Sequence, residues 1–328
     1  MSWRLLAPRY WPTWLGLALL RVLEPLPHSV HLAMGRGLGR LLQPLLRSQA
    51  RIAQRNLALC LTERSDDERA AILQQHFASL GCALFETAVA WWGADELVRR
   101  LTTISGLEHV ERAQRAGRGV LLLSAHFTTI EIGCRALTLH LPLNVMYRPT
   151  KNEVLGAMLA RNRNRQARRA IPRDDVRTLI KALKDGEVVW YAPDQSYRKK
   201  GAEMVPFFGI AAATNTATSR IAAMTNAVVL PYFVERAPDG RHYRGIIGAP
   251  LEDFPSDSSS ADALSFNRLI EAHVRKVPEQ YLWIHRRFKG LDRDYPNYYG
   301  RRSAVAKARR ATAADQASEA DRAMPPGT

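Results

Sequence analysis

His126 and Glu131 are the residues of this chain whose types and spacing could do acid–base chemistry. His126 follows the apolar run "VLLLSA", and Glu131 lies five residues later in "HFTTIEIG". Histidine is the side chain best suited to take a proton from a hydroxyl near neutral pH. A carboxylate that accepts a hydrogen bond from the other ring nitrogen fixes the tautomer and stabilises the imidazolium. The two residues are therefore candidates for a general base and its orienting carboxylate.

This pairing requires a corner between a strand and a helix. On one continuous α-helix, residues five apart are separated by about 140° and do not face each other. The sequence predicts a strand before His126 and a helix after it, with Thr128 and Thr129 as helix caps. A loop histidine beside a surface glutamate fits the local pattern as well, so the pair alone does not establish catalysis.

Polar side chains also follow a second apolar run, "EVVWYAPDQ", which ends at Asp194 and Gln195. Catalytic and ligand-binding groups in open α/β sheets gather at the carboxyl ends of the strands. Both residues therefore lie where a site of this kind places its polar groups.

Other chemistries find little support. Ser124 lacks a GxSxG setting, and the chain has no HExxH, GxGxxG or GxxxxGKS motif. Cys60, Cys82 and Cys134 are scattered without a CxxC pair, which predicts reduced thiols in a protein that faces the cytosol. We expect no metal and no organic cofactor.

Basic residues outnumber acidic ones, with 47 Lys and Arg against 31 Asp and Glu among 328 residues. The net charge of +16 predicts an anionic partner such as a phosphorylated substrate, membrane headgroups, an acidic protein or nucleic acid. Arginine suits bidentate phosphate recognition, and the main basic cluster, "ARNRNRQARR", contains Arg161, Arg163, Arg165, Arg168 and Arg169. A second basic cluster lies in "HRRFKGLDR". Either cluster could also be only a solvated face.

The remaining pattern predicts the architecture. Apolar residues at three- and four-residue spacing predict helices over 31–103, and strands alternate with helices over 104–302. This alternation favours an α/β fold with a central, mostly parallel sheet flanked by helices. Residues 31–302 would form the main domain, and 303–328 a disordered tail.

The N-terminal segment 1–30 places tryptophans and arginines beside an apolar helix face, "WPTWLGLALLRVL". Aromatic rings and cations of this kind suit a membrane interface. We therefore predict a membrane-associating helix, with an ordinary core helix as the alternative and a tilted single span less favoured. Arg21 and Glu24 interrupt the apolar run, so a signal peptide is not expected.

Five motifs in order resemble the bacterial lipid A late acyltransferases, the Kdo-dependent lauroyl and myristoyl transferases of lipopolysaccharide synthesis. The similarity extends from about residue 3 to about residue 291. The motifs are "SAHFTTIEIG", "MYRPTKNEVL", "RDDVRTLIKALKDGEVVWYAPDQ", "VPFFGIAAATNTATSRIA" and "YLWIHRRFK".

This resemblance implies a glycerolipid-acyltransferase-like fold on the cytoplasmic face of the inner membrane. It implies transfer of a fatty acyl chain from acyl carrier protein to a hydroxyl of a Kdo2-lipid IVA-type glycolipid, without a covalent acyl-enzyme. The family's HxxxxD/E dyad falls on His126 and Glu131. Substrate-binding roles are implied for Arg148, Asn152, the Arg161–Arg165 region, Asp194 and Gln195.

Three alternatives remain. An acyltransferase for phosphatidylinositol mannosides or another lipid would use the same corner, and a lipid esterase would pass the acyl group to water. Nucleic-acid binding would explain the charge, but the arginines are not interleaved with base-stacking aromatics. We therefore expect no nucleic-acid partner.

Overall fold

Helices form the first third of the chain in the computed structural model, which describes residues 3–300. Two 3₁₀ turns, Trp3–Leu6 and Pro8–Tyr10, precede five helices. The helices are α1 (Trp11–Leu23), α2 (His28–Leu42), α3 (Arg47–Cys60), α4 (Asp66–Trp92) and α5 (Asp95–Leu101). The predicted tail at 303–328 lies outside the described residues.

Close packing joins α2 to α4. A Cβ atom added to Gly39 would lie 1.9 Å from the carbonyl oxygen of Phe77, and one added to Gly81 would lie 2.0 Å from that of Gly35. Only glycine allows the two backbones to approach this closely. Ser65 begins α4 with a capping box, in which its hydroxyl accepts from the Glu68 amide and the Glu68 carboxylate accepts from the Ser65 amide.

Strands and helices then alternate from residue 102. The strands are β1 (Thr102–Ser105), β2 (Val120–Leu123), β3 (Leu143–Tyr147), β4 (Arg169–Pro172), β5 (Val188–Tyr191), β6 (Ala202–Phe207), β7 (Ile210–Asn215), β8 (Val228–Arg236) and β9 (Tyr243–Ile247). The helices are α6 (Leu107–Arg115), α7 (Ile130–Thr138), α8 (Glu153–Gln166), α9 (Val176–Lys184), α10 (Ala217–Thr225) and α11 (Ser259–Lys276), followed by a 3₁₀ turn at Pro278–Gln280.

Seven strands form one sheet in the order β1-β9-β8-β2-β5-β3-β4. Every neighbouring pair is parallel except β8 and β9. The predicted α/β class with a mostly parallel central sheet is therefore confirmed.

A separate antiparallel hairpin of β6 and β7 was not predicted. Pro206 interrupts the first of these strands, and proline weakens a strand pattern. The turn places Phe208 at φ 50° and Gly209 at φ 73°, which is the backbone that a two-residue hairpin turn of type I′ requires.

Both faces of the sheet are buried. Leu121 and Leu123 lie in one hydrophobic core with α9 and α10, whereas Val120 and Leu122 lie in a second core with α7 and α8. Burial on both faces explains why β2 is a continuous apolar run.

Helix α1 packs on the outside of this body. The Asn152 amide nitrogen donates to the Thr13 hydroxyl at 2.8 Å, while Leu17 is buried. The opposite face leaves apolar side chains exposed, namely Trp11, Leu15, Leu19 and Val22. Among residues 3–300, no helix is both long and apolar enough to cross a bilayer.

Candidate active site

The carboxyl ends of β2 and β5 bring two polar residues together. Leu123 and Tyr191, the last residues of these paired parallel strands, are partners in the register. His126 and Asp194 follow them at the same offset along the chain. Because parallel strands end at one edge of a sheet, the two side chains meet there.

Asp194 engages His126 through both carboxylate oxygens. Nδ1 of the imidazole lies 2.5 Å from Oδ1, and the His126 backbone amide donates to Oδ2 at 3.0 Å. The Tyr281 hydroxyl donates to the same Oδ2 at 3.2 Å. Because a carboxylate only accepts, Nδ1 carries the hydrogen and Nε2 is left as the proton acceptor of the ring.

This arrangement corrects the expected pairing of His126 with Glu131. Glu131 instead accepts from Arg163 Nη2 at 2.5 Å and from the Trp91 indole at 3.3 Å. It is the second residue of α7, and the packing of that helix against α4 brings its carboxylate to Trp91, within reach of Arg163 on α8. The catalytic roles of His126 and Glu131 stay predictions.

The threonines after His126 do not cap α7 as expected. Thr129 is at the N-cap, but its hydroxyl donates to the Val234 carbonyl at 2.7 Å, and α7 has no side-chain cap. The Thr128 hydroxyl is hydrogen-bonded to Ser79 at 2.7 Å. Both threonine side chains are buried, and their hydroxyl groups hydrogen-bond to neighbouring elements and not to the amides of α7.

A segment near the C-terminus holds the corner in place. Phe127 forms a β-bridge with Tyr281, the Thr128 amide donates to the Gln280 carbonyl, and the Leu282 amide donates to the His126 carbonyl. Tyr281 was not predicted as a site residue, although the motif "YLWIHRRFK" begins at it.

Arg287 also differs from its expected place in a basic cluster. It is buried, and it donates to the Ala213 carbonyl at 3.0 Å and to the Thr214 hydroxyl at 2.9 Å. It therefore braces the hairpin strand β7 against the segment that carries Tyr281.

Burial and charge set the protonation of the His126–Asp194 pair. Burial favours the neutral imidazole, but the Asp194 carboxylate outweighs it and raises the pKa of His126 above 6.5. For Asp194, burial opposes ionisation, yet the imidazolium and its hydrogen bonds hold the pKa of this carboxyl below 3.8. Asp194 is therefore ionised at neutral pH and stabilises the protonated ring.

A cavity of about 680 Å³ opens beside this pair along the carboxyl edge of the sheet. Its α7–α8 side is lined by Ile130, Glu131, Cys134, Leu159 and Arg163, together with Val145 and Trp190 of the sheet. Its α9–α10 side is lined by Arg173, Val176, Ile180, Ala217, Arg220, Ile221 and Met224, together with Lys199 of a loop.

The predicted binding residues divide into three groups. Arg148, Arg163 and Gln195 line the cavity with His126 and Glu131. Asp194 lies buried behind the imidazole.

The other three predicted binding residues do not line this cavity. Asn152 caps α8, accepting from the Leu155 amide at 3.1 Å, and Arg161 is exposed. Arg165 donates to the Trp91 carbonyl at 2.6 Å. Two residues along an α-helix rotate the side chain by about 200°, so Arg161 and Arg165 lie on the opposite side of α8 from Arg163.

The cavity holds one cysteine, Cys134. Burial raises the pKa of its thiol to about 12, so it is protonated at neutral pH and is a poor nucleophile. Within residues 3–300, no three His, Cys, Asp or Glu side chains gather as metal ligands.

A family model of bacterial lipid A biosynthesis acyltransferases matches residues 1–290. The chain belongs to this family. The resemblance in its motifs is thus confirmed, and the protein is an acyltransferase.

Two relatives with known names align with most of this chain. The lipid A biosynthesis lauroyltransferase of Escherichia coli is 39% identical over 91% of this chain and 98% of its own length. The palmitoleoyltransferase of the same organism is 39% identical over 87% of this chain and 93% of its own.

One solved structure gives a weaker match. The 1-acyl-sn-glycerophosphate acyltransferase PlsC of Thermotoga maritima has a TM-score of 0.35 and 14% identity, and the match covers 74% of this chain and 99% of that one. A match at this level adds nothing about the site of the acyltransferase.

Proposed function

We propose that this acyltransferase moves a fatty acyl chain from acyl carrier protein to a hydroxyl of a Kdo2-lipid IVA-type glycolipid. The observation that carries the proposal is the His126–Asp194 pair at the edge of a largely apolar cavity with cations on its walls. An apolar cavity accommodates hydrocarbon chains, and cations beside it suit a phosphorylated acceptor.

His126 is the general base of this mechanism. Nε2 takes the proton of the acceptor hydroxyl while the hydroxyl oxygen attacks the thioester carbonyl. The tetrahedral intermediate collapses, the carbon–sulfur bond breaks, and the imidazolium returns the proton to the departing thiolate. Direct transfer needs no protein nucleophile, in keeping with the protonated thiol of Cys134.

Asp194 positions the imidazole and stabilises its charged form in the transition state. Glu131 takes a different part from the one predicted, because it holds Arg163 at the cavity wall. We assign to Arg163, with Arg148 nearby on the same wall, the stabilisation of the developing oxyanion.

We also propose that α1 holds the enzyme on the cytoplasmic face of the inner membrane. The exposed apolar face of α1 adjoins Arg9 and Arg21, and Trp3 and Leu6 of the first turn are exposed as well. Aromatic and aliphatic side chains beside arginines suit the interface of an anionic bilayer. Thr13 of α1 contacts Asn152 at the start of α8, and α8 also carries Arg163 of the cavity wall. The proposed membrane-binding helix is thus joined directly to the helix that lines the cavity.

Purified protein mixed with lauroyl-acyl carrier protein and Kdo2-lipid IVA tests this proposal by mass spectrometry. We expect the acceptor to gain one acyl chain, and His126→Ala to lower the transfer rate by at least about 1,000-fold. Unchanged circular dichroism and unchanged binding to anionic vesicles control for folding.

Other outcomes select the alternatives. Free fatty acid as the main product identifies an esterase, and transfer to phosphatidylinositol mannosides but not to Kdo2-lipid IVA identifies the other acceptor class. Near-normal transfer by His126→Ala contradicts the mechanism itself.

A further inference from the structure

The α9–α10 side of the cavity carries cations from three separate parts of the chain. Arg173 precedes α9, Lys199 lies in the loop before β6, and Arg220 belongs to α10. All three line the same cavity as His126. Tertiary folding has thus gathered positive charge within one recess from residues that are distant in sequence.

These cations lack strong carboxylate partners. Lys199 and Arg220 form no salt bridge within residues 3–300, and Arg173 reaches only Asp174, with Nε 3.6 Å from Oδ1. On the α7–α8 side, by contrast, Glu131 neutralises Arg163 at 2.5 Å. Most of the positive charge without a close carboxylate therefore lies on the α9–α10 side, and Arg148 is the corresponding cation on the wall of Arg163.

Gly201 makes room for one of these cations. A Cβ atom added at this position would lie 2.6 Å from Arg220 Nη2. The guanidinium consequently lies against the backbone of the loop that carries Lys199.

The N-terminus of α10 adds to this charge. Ala217, the first residue of this nine-residue helix, lines the cavity, and no side chain at the N-cap position caps the helix, although Asn215 Oδ1 accepts from the Ala217 amide. A helix N-terminus carries a positive partial charge, which favours phosphate. The N-terminus of α9 is instead capped by the Asp175 carboxylate.

The same side also has an apolar wall, formed by Ile180, Ile221 and Met224. Cations beside an apolar wall match a lipid that has an anionic headgroup. The α7–α8 side has apolar residues too, but its Arg163 is already paired with Glu131, which leaves Arg148 as the unpaired cation there among residues 3–300.

We propose that Arg173, Lys199 and Arg220 bind a phosphate of the acceptor headgroup, so that the acceptor occupies the α9–α10 side and the donor acyl chain the α7–α8 side. This inference rests on the proposed function. The phosphate site then lies apart from the Arg161–Arg165 region, where Arg161 is exposed outside the cavity lining and Arg165 donates to the Trp91 carbonyl.

A lipid headgroup fits these residues better than the acidic surface of a carrier protein does. The three cations line a recess of about 680 Å³ that also contains His126, and a folded protein cannot enter a space of this size. A sugar phosphate can enter it, and would also meet Tyr197 and Asn215 on the same wall.

Steady-state kinetics with two acceptors tests this proposal. We expect each of Arg173→Gln, Lys199→Gln and Arg220→Gln to raise the KM for Kdo2-lipid IVA by roughly tenfold, with little change in kcat or in the KM for lauroyl-acyl carrier protein. Enzymatic dephosphorylation of Kdo2-lipid IVA should raise its KM for the unmodified enzyme but add no further increase in the triple variant, because the lost contact is the same.

Arg177→Gln on α9 and Lys200→Gln beside Lys199 are matched controls, since both residues are exposed and neither lines the cavity. Their KM for Kdo2-lipid IVA should stay within about twofold of the unmodified value, as for surface charges generally.

Three results overturn the inference without touching the proposed function. They are an unchanged acceptor KM in the triple variant, an increase confined to the KM for acyl carrier protein, and an equal penalty on the dephosphorylated acceptor, which would point to the sugar carboxylates. If the unmodified enzyme acylates neither acceptor, the proposed function fails instead.

Discussion

Glu131 and Asp194 are two carboxylates at one corner of the sheet, and they have different partners. Asp194 is 68 residues from His126 in sequence yet lies 2.5 Å from its ring. Glu131 is close in sequence but pairs with Arg163. Asp194 is almost fully buried, whereas Glu131 lines the open cavity. Proximity along the chain is therefore a poor guide to which carboxylate orients a base.

The two carboxylates also act on different groups. Asp194 acts on the proton of His126, because it raises the pKa of the imidazole. Glu131 acts on the position of a cation at the cavity wall. Substitutions of the two residues should therefore differ in how the rate depends on pH.

Asp194→Asn should produce the larger loss, on the order of 1,000- to 10,000-fold in kcat, because an amide can hold the wrong tautomer of the ring. In the unmodified enzyme, the rate should rise as His126 loses its proton, with an acid limb above pH 6.5 because the pKa is raised. Removing the carboxylate lowers that pKa, so the residual acid limb should move to lower pH. Stopped assays across pH 5–9 measure both quantities.

Asp257→Asn is a control for this change, since Asp257 is exposed and does not line the cavity. An acid limb that stays in place in Asp194→Asn would show that His126 is not the group that titrates.

Glu131→Gln should cost less, roughly 100-fold in kcat, because it releases Arg163 without altering the partner of His126. The acid limb should stay near that of the unmodified enzyme. In a double-mutant cycle with Arg163→Gln, the two losses should be far from additive, since each change breaks the same ion pair.

Glu96→Gln, on the exposed surface of α5, controls for loss of a carboxylate. A shift of the acid limb in Glu131→Gln as large as that in Asp194→Asn would restore the pairing that the sequence suggested.

Tyr281→Phe should have the smallest effect. It removes one hydrogen bond of 3.2 Å to Asp194 Oδ2 and leaves the ring packing intact, so we expect about a tenfold loss of kcat and about 1 kcal/mol of stability. Thermal unfolding together with kcat measures the two effects, and an activity equal to that of the unmodified enzyme would exclude Tyr281 as a positioning residue.

Much of the fold could be predicted from residue patterns. The alternation after residue 104 predicted an α/β sheet, and the runs "VLLLSA" and "EVVWYAPDQ" lie on β2 and β5. The hairpin β6–β7 and the short strand β4 escaped prediction because a proline and a cluster of arginines hide their apolar pattern.

What the sequence determined by itself is the kind of residue at each strand end. The change from an apolar run to a polar residue marks where a buried strand ends, because unpaired charge is unfavourable inside the sheet but tolerated beyond the strand end. His126, Asp194 and Gln195 could therefore be singled out without coordinates.

What only the tertiary structure decided is which of these residues meet. The order of strands places β5 beside β2, so Asp194 reaches His126, whereas Glu131 at the start of α7 meets Arg163 of α8. Crossover connections set strand order, and they join residues that are far apart in sequence. The local sequence pattern does not indicate the strand order, because the partners of a side chain are fixed only when the elements pack.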